Sequence, residues 1–204
     1  MELYDTEEQQ VEAIKDWWKE NGKAVIIGAV VGLGGLFGWR YYQDSVIQAS
    51  EAASQNYTTA ITALQENGVD AQTEVQAFID SSQVKEYSVL AALQLAKAQV
   101  EAEDLTAALE QLKWAQTSTK DAALSPLISY RIARIEAELG NFDAATSELS
   151  KVTDAAWNGR IAELRGDIAL RQGDKDSAYA AYTEAHQAAD ASPTLQMKLD
   201  DLAK

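Results

Sequence analysis

One histidine, His186, and no cysteine are all that this 204-residue sequence offers toward soft-metal or nucleophilic chemistry. A zinc site takes several His or Cys ligands, and a Ser-His-Asp triad needs an imidazole oriented by a carboxylate and facing a serine. His186 instead follows Ala185 on a helical pattern, which reads as an exposed or partly packed side chain. The glycines between Gly28 and Gly38 lie in an apolar run, whereas a phosphate cradle follows a strand and opens a helix. Glu103 and Asp104 fall at a break between helical patterns and read as capping groups, not as an acid/base pair. No catalytic residue, cofactor or metal is therefore expected. A formal net charge of −15 repels phosphate backbones, so nucleic acid is not an expected partner. The chemistry left to this chain is recognition of other proteins.

The elements that would position recognition residues are helices. Apolar residues make up 47% of the chain, and Pro126 and Pro193 are its only prolines. Ala, Leu, Gln and Glu dominate, and they lose little rotamer freedom in a helix. Gly68, Gly140 and Gly173 punctuate residues 41–204, each followed closely by Asp. This predicts helices ended by glycine, with the next helix capped by the acid. Ala96, Ala108 and Ala115 are spaced by 12 and 7 residues; Ala133, Ala145 and Val152 repeat those intervals, as do Gly166, Ala178 and Ala185. The period is 37, then 33, and the pattern resembles the tetratricopeptide repeat of ~34 residues. Small residues belong where the two helices of a hairpin cross closely, and each hairpin leaves an apolar face for its neighbour to cover. A plain bundle with chance alanine spacing is the competing reading.

Residues 44–67 and 71–82 read as a divergent first hairpin, with Ile61, Thr73 and Asp80 keeping the intervals. LQMKLDDLAK after Pro193 reads as a closing helix over the last apolar face. If the first helix of each hairpin lines the concave face, Lys97, Glu101, Tyr130, Arg134, Glu138, Asp167 and Arg171 project into it. Such a face, mixed in charge and carrying an aromatic, suits a protein segment. A merely solvated face is the alternative.

Ahead of this domain, Ala24–Trp39 holds 16 uncharged residues, AVIIGAVVGLGGLFGW. They rise about 24 Å as a helix. Lys23 and Arg40 can snorkel outward, and Trp17, Trp18, Trp39, Tyr41 and Tyr42 suit headgroup depth. The run ends in Trp-Arg-Tyr-Tyr, not in a small-x-small cleavage site, so a retained signal-anchor is expected. Lys15, Lys19 and Lys23 precede the run, whereas Arg40 is followed by no basic residue until Lys85. The positive-inside rule then leaves the N-terminus in the cytoplasm. The expected division is a cytoplasmic tail at 1–23, a single transmembrane helix at 24–42 and a periplasmic domain at 43–204. Val11, Ile14, Trp17 and Trp18 make the tail amphipathic. Gly28, Gly32, Gly34, Gly35 and Gly38 include two small-xxx-small spacings that would admit another transmembrane helix.

The start MELYDTEEQQVEAIKDWW, the membrane run ENGKAVIIGAVVGLGGLFGWRYY, and LAALQLAKAQVEAEDLTAALEQL, ISYRIARIEAEL, AAWNGRIAELRGDIALRQGDKDSAYAAY and LQMKLDDL together resemble the YfgM-like ancillary subunits of the SecYEG translocon. The resemblance covers nearly the whole chain. It implies a bacterial inner-membrane protein with a periplasmic tetratricopeptide-like domain beside the translocon. It also implies association with the periplasmic chaperone PpiD and a share in handling newly exported proteins. A link from the N-terminal side to a cytoplasmic stress regulator is implied as well. An envelope scaffold would have a similar sequence and is the alternative from another class. Bulky substitution at Ala145 would test the repeat mapping by overpacking a tight crossing.

Overall fold

The computed structural model describes residues 7–202, which hold helices and no strand. The first residues of the expected tail, 1–6, and the end of the closing pattern, 203–204, lie outside that range. The chain divides into two compact units, Met1–Ala52 and Ala53–Lys204.

The first unit consists of the N-terminal part of helix α1 (Glu7–Asn67). Its apolar side chains stand uncovered: Ile27 is 64% exposed, Val31 68% and Phe37 66%. Unpacked apolar surface of this extent is unusual for a water-soluble helix. By length and composition it could cross a membrane, the one such helix among the described residues. Trp17 and Trp18 pack ring against ring before it, with centroids 6.4 Å apart, and Trp39 and Tyr42 do so at its other end, 6.3 Å apart. The secondary structure is continuous across residues 23/24 and 42/43, so the expected boundaries there would be changes of surroundings, not helix ends.

The second unit begins with the last turns of α1, a 3₁₀ turn at Gly68–Ala71 and α2 (Gln72–Ser81). Three hairpins follow: α3 (Lys85–Glu101) with α4 (Leu105–Ser118), α5 (Leu124–Glu138) with α6 (Phe142–Ser150), and α7 (Asn158–Arg171) with α8 (Lys175–Gln187). Helix α9 (Leu195–Leu202) closes the stack. All nine positions of the repeat pattern are buried, from Val152 at 6% exposed to Ala178 and Ala185 at zero. Helix α5 shows how the stack is joined. Ile128, Ile132 and Ile135 face the preceding hairpin's core, whereas Ala133 and Ala137 join Ala145, Leu149 and Val152 in the next.

The register expected for the divergent first hairpin is not the one adopted. Thr73 and Asp80 are exposed; Val75, Phe78 and Ile79 carry the burial on α2. Here α1 meets α2 and α3 through aromatic rings, Tyr57 lying 6.2 Å from Phe78 of α2 and 5.5 Å from Tyr87 of α3. Ala60 and Leu64 of α1 are buried in the same core as Val75, Phe78 and Ile79.

The turns inside the hairpins share one geometry. The amides of Asp104, Asn141 and Asp174 donate to the carbonyls of Gln99, Glu136 and Ala169 at 2.8–2.9 Å. The preceding residue is left-handed each time: Glu103 (φ 64°), Gly140 (φ 80°) and Gly173 (φ 86°). Asp104 and Asp174 cap α4 and α8, accepting from the Ala107 and Ser177 amides. The expected pairing of glycine with a capping aspartate therefore holds at Gly173 alone. Asp70 lies inside the 3₁₀ turn, and Asn141 stands at the N-cap of α6, ahead of Asp143. A further cap comes from afar: Asp190 accepts from the amides of Gly159 (2.8 Å) and Arg160 (3.2 Å) at the start of α7. A Cβ at Gly159 would collide with that carboxylate.

Glu136 is a buried carboxylate, 4% exposed, that accepts from Lys113 Nζ at 2.8 Å and Asn141 Nδ2 at 2.9 Å. Burial alone would raise its pKa, but these hydrogen bonds and the Lys113 charge outweigh it, leaving the group below the ordinary glutamate range. A depressed folded-state pKa gives stability that is complete above the unfolded value, about 4.3, and lost as pH falls through the folded value. The urea midpoint should therefore drop on acidification across that window. Glu136→Gln should be less stable near neutrality and show a flatter acid limb; an identical pH profile would refute the assignment.

Candidate protein-binding grooves

The inward positions of α3, α5 and α7 form two adjoining grooves. Lys97, Glu101, Arg134 and Glu138 border the first, of about 490 Å³, with Leu93, Val100 and Ile135 as apolar wall. Arg134, Glu138, Asp167 and Arg171 border the second, of about 300 Å³, with Ala137, Leu164 and Leu170. Six of the seven residues expected on the concave face thus lie together. Tyr130 is placed differently: its half-buried ring packs at a tilt against Trp157, centroids 5.5 Å apart, and burial pushes its hydroxyl pKa up.

The charges of the grooves are partly committed. Lys97 and Glu101 form an exposed pair at 3.6 Å on one helix. Arg171 reaches across to α5, pairing with Glu138 and donating to the Ala137 carbonyl at 3.0 Å. Asp167 accepts from the Tyr182 hydroxyl at 2.7 Å and from Lys198 Nζ at 2.6 Å. Lys198 also meets Glu163 at 2.9 Å, and these carboxylates raise its pKa against the opposing effect of burial. Asp167 therefore ties α9 to α7 as well as bordering a groove. Arg134 is exposed and has no ion pair among the described residues.

Sequence reasoning missed Arg131, which borders the first groove one turn before Arg134. Its i, i+3 spacing from Arg134 was the available signal. The five membrane-run glycines carry no neighbour in the structure: nothing approaches within 4 Å of a Cβ built at Gly28, Gly32, Gly34, Gly35 or Gly38. Among the described residues no group of three or more His, Cys, Asp or Glu could hold a metal.

The family model of the tetratricopeptide repeat-like domain matches residues 15–204. The chain is 36% identical to the ancillary SecYEG translocon subunit of Escherichia coli, over 100% of both chains. It is 35% identical to that of Haemophilus influenzae and 37% identical to that of Aggregatibacter actinomycetemcomitans, each over 96% of this chain and 97% of the relative. The chain belongs to the ancillary SecYEG translocon subunit family. Membership covers the apolar helix as well as the repeats, because the alignments run essentially from end to end. The family's repeat-like fold is the one observed in α3–α8.

Proposed function

We propose that this protein is a non-enzymatic, membrane-tethered interaction subunit that works beside the SecYEG translocon on newly exported proteins. One observation carries the reading: end-to-end similarity to proteins named ancillary SecYEG translocon subunits. The exposed apolar stretch of α1 supports anchoring in the bacterial inner membrane. Three lysines before that stretch against Arg40 after it support a cytoplasmic tail at 1–23, a crossing at 24–42 and a periplasmic domain at 43–204. On this orientation the grooves open in the periplasm, where they receive segments of the chaperone PpiD or of exported clients. Tethering holds the domain at the channel exit at high effective concentration, so modest affinity suffices. The stripe of Gly28, Gly32 and Gly35 admits a transmembrane helix of a partner.

A photocrosslinking residue placed at Gly32, Lys97 or Arg134 of the full-length protein in native membranes tests this. Translocon subunits captured from position 32, and a periplasmic chaperone or exported chains from positions 97 and 134, are the expected products. Capture of envelope scaffold components alone from all three positions would overturn the reading. The exposed Val11, Ile14, Trp17 and Trp18 favour a second role, contact with a cytoplasmic stress regulator. Deleting residues 2–18, with Lys19 and Lys23 kept ahead of the apolar run to preserve anchoring, separates that role from the periplasmic one.

A further inference from the structure

Arg131 and Arg134 stand one turn apart on α5, and both border the groove between α3 and α5. Neither has an acidic partner among the described residues. The acids at the same groove are engaged elsewhere, Glu101 with Lys97 and Glu138 with Arg171. Arg131 is half-buried, and its guanidinium is disfavoured first by burial and then by the like charge of Arg134. In a chain of net charge −15, the lining of this groove carries more cations than acids, Lys97, Arg131 and Arg134 against Glu101 and Glu138. A guanidinium fork matches a carboxylate through paired hydrogen bonds, and such bonds strengthen where water is partly excluded. Val100, 41% exposed, and the groove-side edges of the otherwise buried Leu93 and Ile135 offer an apolar surface for aliphatic side chains.

We infer that the α3–α5 groove holds an extended segment of a partner polypeptide in which an aspartate or glutamate pairs with Arg131 and Arg134 while flanking aliphatic side chains rest on Leu93, Val100 and Ile135. The inference rests on the protein-binding role proposed above and adds the chemistry of the bound segment. It makes the groove selective against cationic segments, which Arg131 and Arg134 repel, and against purely apolar ones, which leave both guanidiniums unpaired.

The test uses the full-length protein in nanodiscs of zwitterionic lipid. The probe is a fluorescent Leu- and Val-rich peptide carrying two glutamates, and its control has glutamine at those positions. The glutamate peptide is expected to bind about tenfold more tightly than the glutamine one. That advantage should vanish in the Arg131→Gln/Arg134→Gln double variant. Arg134→Gln alone, at an exposed position, should lose about half of it on a logarithmic scale and keep the wild-type unfolding midpoint. Equal binding of the two peptides, or an advantage that survives the double variant, overturns the inference. So does binding of neither peptide, while crosslinking from positions 97 and 134 decides the broader role independently. Loss of peptide binding in nanodiscs of anionic phosphatidylglycerol would also overturn it, assigning the arginines to lipid headgroups.

Discussion

Tyr182→Ala should lower the stability of the repeat domain by about 3–5 kcal/mol, the usual cost of deleting a fully buried aromatic ring. Tyr182 is 1% exposed and packs in one core with Ala162, Ala178, Ala185 and Leu195. Its ring lies directly over Gly166, where an added Cβ would overlap it. That contact explains why the third hairpin has glycine where the others have Ala96 and Ala133. The ring also has a polar anchor: its hydroxyl donates to Asp167, and burial together with that neighbouring charge pushes its pKa well up. Gly166→Ala should cost about 1–3 kcal/mol by overpacking in the wild type and far less beside Tyr182→Ala. Urea unfolding of the detergent-solubilised full-length protein, followed by far-UV circular dichroism, supplies all four corners of this cycle. Additive effects of the two substitutions would remove the proposed coupling.

Leu195→Ala should cost about 2–5 kcal/mol. Leu195 is fully buried, and it is the one side chain through which short α9 enters the last core as a buried residue. Eight residues cannot hold a helix by propensity alone. Helix α9 is therefore held by Leu195, by the partly buried Leu199 and Leu202 beside it, and by the bridge from Lys198 to Glu163 and Asp167. Losing α9 removes Leu195 from the core it shares with Ala162, Ala178, Tyr182 and Ala185, so limited proteolysis should cut first within residues 188–204. A midpoint shift equivalent to less than about 1 kcal/mol would show that α9 contributes little to the stack.

The helices, the small positions and the closing helix were legible in the sequence for one reason. Period and residue size report burial, and burial is what Ala108, Ala145 and Ala178 share. Features that depend on partners distant in sequence were not legible. Nothing near Asp190 announces that it caps α7, and nothing near Tyr130 announces that Trp157 covers it. Glu103 reads as a capping group by its place at the break, but Asp104 alone caps α4, and Glu103 instead takes the left-handed turn position that is ordinarily the mark of glycine. At the first hairpin, intervals were transferred to Thr73 and Asp80 although neither is small or apolar, and the aromatic contacts of Tyr57 set another register. The grouping of Lys97, Arg134 and Asp167 along the two grooves was legible in outline because they hold equivalent places in the repeat. Their commitments were not: Asp167 serves the end helix, and Glu138 serves Arg171.

Arg134 and Glu138 form a party wall between the two grooves. The grooves are therefore not independent receptacles. A guest that draws Arg134 toward α3 withdraws a cation from the α5–α7 side, and one that parts Glu138 from Arg171 releases charge into both. Under the proposed role, two short guests would interfere with each other, whereas one long guest lying across the wall would satisfy both sides at once, and recognition would then depend on length as well as composition.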